Sequence, residues 1–177
     1  MRYWHPMRIV LTKGLRQDHI ALRRGDGSQA AFDFPRKGPV PHDAFHFFVE
    51  SELAMRRGFW GLVAGGMDPA AVGALAAAGG HASASRAGTP AAGIVELLQA
   101  ERLVESFEAE SWSDGQSDAG IIAMAEPGWA ASQVPPPPGV PERLGAIRER
   151  IADFSKDWKA AAVGEAMVLE WKDTDFG

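Results

Sequence analysis

Three short stretches near the start of the chain alternate apolar and polar residues, and a proline cluster closes them off. They are 8–12 (RIVLT), 19–23 (HIALR) and 29–34 (QAAFDF). Ile9 with Leu11, Ile20 with Leu22, and Phe32 with Phe34 fall two residues apart. That is the period at which a strand buries one face and wets the other. Gly25-Asp26-Gly27-Ser28 separates the second and third stretches, and Asp-Gly tolerates the positive φ that a tight hairpin demands. Pro35 and then Gly38-Pro39-Val40-Pro41 end the pairing, because proline has no N–H to offer a sheet. A chain that begins this way commits to a three-stranded β-meander. Met7 opens the compact fold, and residues 1–6 read as a loose arm.

The rest is mostly helical. Residues 42 to about 55 carry Phe45, Phe48, Val49 and Leu53 on one face, with Pro41 in the first turn and Asp43 at the positive end of the dipole. Residues 59–64 (FWGLVA) read as a short buried helix. Asp68-Pro69 opens a helix over 69–78, and a Gly/Ala/Ser-rich loop over 79–88 carries His81. Thr89-Pro90 opens a long helix to about 111, with Leu97, Leu98, Val104 and Phe107 apolar and Glu101, Glu105 and Glu108 as a solvated acidic stripe. Residues 112–140, with four consecutive prolines at 135–138, read as an irregular surface excursion. Residues 141–159 are helical, with Leu144, Ile147, Ile151, Phe154 and Trp158 at 3-4-3-4 spacing. Residues 165–171 (EAMVLEW) alternate as a strand. The expected fold is a single α+β domain over 1–177. Its antiparallel sheet has about four strands, the meander plus the C-terminal strand, with helices packed on one face.

Charge and composition remove several functions. A net charge of −5 and a pI near 5.5 argue against nucleic acid and anionic lipid as partners, since both need a basic surface. The absence of cysteine excludes disulfides, thiolate catalysis and Cys-based zinc sites. No apolar run reaches membrane-spanning length, and MRYWHPMRIVLTKG has no hydrophobic signal core. The expected location is the cytoplasm.

The chemistry concentrates in PHDAFHFFVE. His42, His46 and Glu50 are successive four-residue steps and share one helical stripe. His42 and His46 have the spacing seen in zinc helices, and HDAFH is similar to the zincin pattern HExxH with Asp43 in the glutamate position. Aspartate reaches about 1.5 Å less far, a large shift against the distance window for proton transfer. His42 and Glu50 are separated by roughly 12 Å along the helix axis, so a third ligand to zinc or another divalent metal has to come from elsewhere. His81, His19 and Glu105 are the candidates. Asp43 and Glu50 serve as base or supporting carboxylates. The alternatives are a metal-free polar cleft, or plain structure in which Asp43 meets the helix dipole and Glu50 pairs with His46.

The segment 38–66, with PHD, a following H, VE and then GFWG, resembles a group of bacterial proteins with no assigned activity. The resemblance implies a soluble bacterial protein and transfers no role to any residue. Elsewhere the signals are weak. Residues 113–118 lack the EF-hand pattern, Gly79-Gly80-His81 is not a strand-to-helix phosphate loop, and no GxSxG elbow occurs. Two functions fit. One is an interaction or accessory module that binds a protein partner or a second copy through the proline-rich excursion or a sheet edge. The other is a metal-dependent hydrolase-like enzyme using His42 and His46.

Overall fold

The computed structural model of the protein describes residues 5–83 and 92–172, with the side chains of 79–83 outside that description. The elements run β1 (Met7–Thr12), β2 (Gln17–Arg23), β3 (Gln29–Pro35), α1 (His42–Glu52), α2 (Phe59–Ala64), α3 (Pro69–Ser83), α4 (Ala92–Ser111), α5 (Asp118–Ser132), α6 (Val140–Ala160) and β4 (Ala166–Trp171). The fold is α+β. The four strands form one antiparallel sheet in the order β3-β2-β1-β4.

The register follows from the alternation. Ile9 opposes Leu22 on one side and Leu169 on the other, and Leu11 opposes Ile20 and Met167. Met7, Ile9, Leu11, Ile20 and Leu22 are buried on this face, whereas Arg8, His19 and Arg23 are exposed on the other. A one-residue slip would reverse the two faces. The helices cover the apolar face. Phe47 of α1 meets Trp171 of β4 edge to face, and Phe48 of α1 packs against Phe154 of α6. Two cations tie sheet to helices. Lys13 donates to the Trp158 and Ala161 carbonyls at the end of α6, and Arg24 donates to the Val63 and Met67 carbonyls at the end of α2.

The structure corrects the reading of 112–140 as irregular. Residues 118–132 form α5, capped by the Ser117 hydroxyl, which accepts from Gly120 N. Ile121, Ala125 and Trp129 lie four apart and are buried, and this stripe docks the helix. Pro127 sits inside α5 but on its exposed side, as does Ala123 four residues earlier. The carbonyl that the proline leaves without its usual donor therefore faces water. The tetraproline stretch keeps its extended role between α5 and α6. Helix α3 also runs through Gly79-Gly80 to Ser83, where a loop was expected. Residues 1–4 of the expected arm lie outside the described residues; His5 and Pro6 are exposed. Among the described residues no helix is long and apolar enough to cross a membrane.

Candidate metal centre

The four-residue steps on α1 carry the site. At the far end of the stripe, Glu50 is fully buried, a position an acidic residue tolerates only with hydrogen-bonding partners. Its partners come from α2. Glu50 Oε1 accepts from Phe59 N at 2.7 Å and Oε2 from Trp60 N at 2.8 Å. Gly58 makes that approach feasible, because a Cβ there would lie 2.5–2.9 Å from the Glu50 carboxylate. The sequence GFWG is thus a receptor for Glu50. The Trp60 indole N–H also donates to the Asp43 carbonyl at 2.9 Å and fixes α2 against the start of α1.

Helix α4 packs against α1 and brings Glu101 and Glu108 to the histidines. Glu108 Oε1 lies 2.5 Å from His42 Nδ1, and Glu50 Oε1 lies 3.1 Å from His46 Nδ1. A carboxylate only accepts, so each Nδ1 is the donor. That leaves both Nε2 atoms turned inward. His42 Nε2 and His46 Nε2 are 3.1 Å apart, Glu101 Oε2 is 2.8 Å from His46 Nε2, and Glu101 Oε1 is 3.6 Å from His42 Nε2. The rings stand edge to face with centroids 4.8 Å apart.

Burial is the largest single influence on each of these groups, and it opposes charge. Hydrogen bonds to Glu101 and Glu108 nevertheless hold the His42 pKa up at about 9, and those to Glu101 and Glu50 hold His46 at about 10. Both histidines in turn press the Glu101 pKa well below the usual carboxylate range, against its own burial. For Asp43 burial wins and raises the pKa, with His46 and His42 working in the other direction.

The donor set fits a divalent cation. Bonds of about 2.0–2.1 Å at tetrahedral angles place ligand atoms roughly 3.3 Å apart, and the three separations here are 3.1, 2.8 and 3.6 Å. Among the described residues, His42, His46 and Glu101 form a group whose ligand atoms all lie within 4.8 Å of one another. Each histidine is backed by a carboxylate on its outer nitrogen, the arrangement that orients histidine ligands in metal sites. A pocket of about 410 Å³ opens beside the cluster, lined by His42, Asp43, Glu101 and Glu108 together with residues 34–41 and Trp112.

The structure joins His42 and His46 as expected and puts Glu50 behind His46 as a supporting carboxylate. Asp43 lines the pocket outside the ligand group. The residue that joins the two histidines from outside their helix is Glu101. Glu105, one turn further along, pairs with Arg102 at 2.8 Å, and His19 lies on the open face of the sheet against Asp33. The side chain of His81 falls outside the described residues. Reading Glu101 and Glu108 as part of a solvated stripe is corrected, because both turn toward α1. Their spacing of seven, two turns on the same line of α4 beside Leu97, Leu98 and Val104, was the available signal. Comparison with protein-family models, curated proteins and solved structures gave no match.

Proposed function

We propose that the protein is a metal-dependent enzyme of hydrolytic type, with His42, His46 and Glu101 holding a divalent cation, zinc above others. One observation carries the reading: the inner nitrogens of His42 and His46 and the carboxylate of Glu101 lie within 3.6 Å of one another, while the outer nitrogen of each histidine is committed to a carboxylate. Two histidines and one glutamate form a ligand set that leaves a coordination position open, as catalytic zinc sites require. His42 and Glu101 both line the pocket, so substrate has access from that side.

A cation held there supplies Lewis-acid polarisation of a substrate carbonyl or phosphoryl oxygen. The protein supplies the rest. Glu108 and Glu50 fix the tautomers of His42 and His46. Asp43 lines the same pocket, has no side-chain hydrogen bond among the described residues, and has a pKa raised by burial. These features suit a general base that takes a proton from the attacking water.

The interaction-module reading draws less support. Trp129 is buried and its indole donates to the Gln99 carbonyl, while the Gln99 side chain donates to the Pro135 carbonyl. These bonds suit a strut fixed to α4 better than a segment free to dock.

The test is turnover of a panel of ester, amide and phosphoester substrates by protein loaded with zinc or manganese, compared with Asp43→Asn. The expected outcome is metal-dependent hydrolysis that falls by roughly 10²–10⁴-fold in the variant at unchanged metal content. Turnover independent of metal, equal rates in the variant, or no turnover across the panel would sink the enzyme reading.

A further inference from the structure

The pocket beside the histidines has a lining of mixed chemistry. The linker between β3 and α1 contributes Arg36 and Lys37 to the same lining as His42 and Glu101. The prolines at 35, 39 and 41 in that linker restrict its backbone. The two cations are not equivalent. Arg36 is engaged, with its Nε 3.5 Å from Asp18 Oδ1, and that buried carboxylate also accepts from Gly14 N at 2.9 Å. Lys37 is exposed and has no hydrogen bond or ion pair among the described residues. Trp112 lines the same pocket with 74% of its surface exposed. An exposed ring and an exposed cation lining one pocket suit an apolar body that ends in an anionic group.

We propose that the substrate of this site is a small anionic molecule, carrying a phosphate or carboxylate that Lys37 binds with support from Arg36, and an apolar or aromatic portion that rests on Trp112. The proposal rests on the metal-dependent reading and adds the class of substrate. Asp18, Asp43, Glu101 and Glu108 line the same pocket and would repel an approaching anion, and a divalent cation together with Lys37 and Arg36 offsets their charge. Arg36, fixed by Asp18, sets the geometry, and Lys37 supplies the charge free to close on the ligand.

The test uses the full chain loaded with zinc and three probes of similar size, phenyl phosphate, benzoate and benzyl alcohol. Binding is followed by calorimetry and by tryptophan fluorescence. Either anion or both should bind, which identifies the preferred group, and benzyl alcohol should not compete. Lys37→Ala should weaken the preferred anion by roughly tenfold, the scale of one charge-assisted hydrogen bond, at unchanged zinc content. Trp112→Leu should abolish the fluorescence response and weaken binding less. Three results overturn the proposal: equal binding of benzyl alcohol, no binding of either anion to zinc-loaded protein, or anion affinity unchanged in Lys37→Ala. Failure to take up zinc, manganese or magnesium in the unaltered protein is a separate outcome. It overturns the metal-dependent reading, and this inference with it.

Discussion

Helix α4 carries two carboxylate clusters, and they differ in the cation each meets. Near its end, Glu110 is gripped by Arg148, with Nε to Oε2 at 2.9 Å and a second guanidinium nitrogen to Oε1 at 3.0 Å, and Arg148 also reaches Asp118 at 2.7 Å. Glu110 further accepts from Ser117 N. A guanidinium has donors only and permanent charge, so that cluster is electrically closed. On another side of the helix, Glu101 and Glu108 face histidines. An imidazole that keeps its outer N–H can give up its inner proton, so two of them beside a carboxylate can turn three acceptors toward one point when a cation takes the place of those protons. Similar acidic residues on one helix thus make a staple at one place and a candidate metal site at another. The partner decides which.

The difference can be broken most sharply by deleting a ligand. His46→Ala should weaken zinc binding by roughly a hundredfold or more, the scale of losing one ligand from a small set, read by competition with a chromogenic chelator. The supporting groups should matter less. Glu108→Gln and Glu50→Gln should each weaken zinc by about 10–100-fold. Gly58→Ala should fall in the same range without touching a ligand, because its Cβ would displace the Glu50 carboxylate. Glu110→Ala should separate the clusters. Metal affinity should stay within about twofold, while denaturant unfolding shows a loss of about 2 kcal/mol. That is below the loss on breaking a deeply buried pair, because Arg148 retains partial exposure.

The smallest effect is the pH dependence of metal-free stability. His42 and His46 have pKa values raised from 6.5 to about 9 and about 10. Their stabilising contribution is complete below about pH 6.5 and is lost as pH rises through 9 to 10. Glu101 is lowered from 4.5, so its contribution is complete above about pH 4.5 and is lost as pH falls toward its depressed pKa. Metal-free protein should therefore lose stability at both extremes, with the alkaline loss absent in a double His42→Ala, His46→Ala variant. Zinc uptake at pH 7 should release close to two protons, one from each histidine, and calorimetry in buffers of different ionisation enthalpy reads that number directly.

Much of the fold was legible because period-2 and period-3.6 patterns are local. Ile9 and Leu11, or Leu144, Ile147 and Ile151, declare their faces within a few residues. Helix α5 was not legible for the converse reason. Pro127 and the prolines at 135–138 dominate the local composition, whereas the Ile121, Ala125 and Trp129 stripe gains meaning only once α4 is there to cover it. The site divides in the same way. His42, His46 and Glu50 are spaced by one helix and could be read together. Glu101 lies 55 residues beyond His46 and Glu108 lies 66 beyond His42, and only the packing of α4 on α1 joins them. An acidic residue on a helix is usually solvated, and that expectation concealed the candidate third ligand.

Elemental analysis of untagged protein after zinc reconstitution and exhaustive dialysis, run beside His46→Ala and Glu101→Gln, bears most directly on the metal centre. The expected result is about one zinc per chain in the unaltered protein and a large loss in both variants, with Glu110→Ala retaining its metal. A content well below one per chain that does not change in His46→Ala or Glu101→Gln would contradict it, and the cluster would then be a buried polar network without an ion.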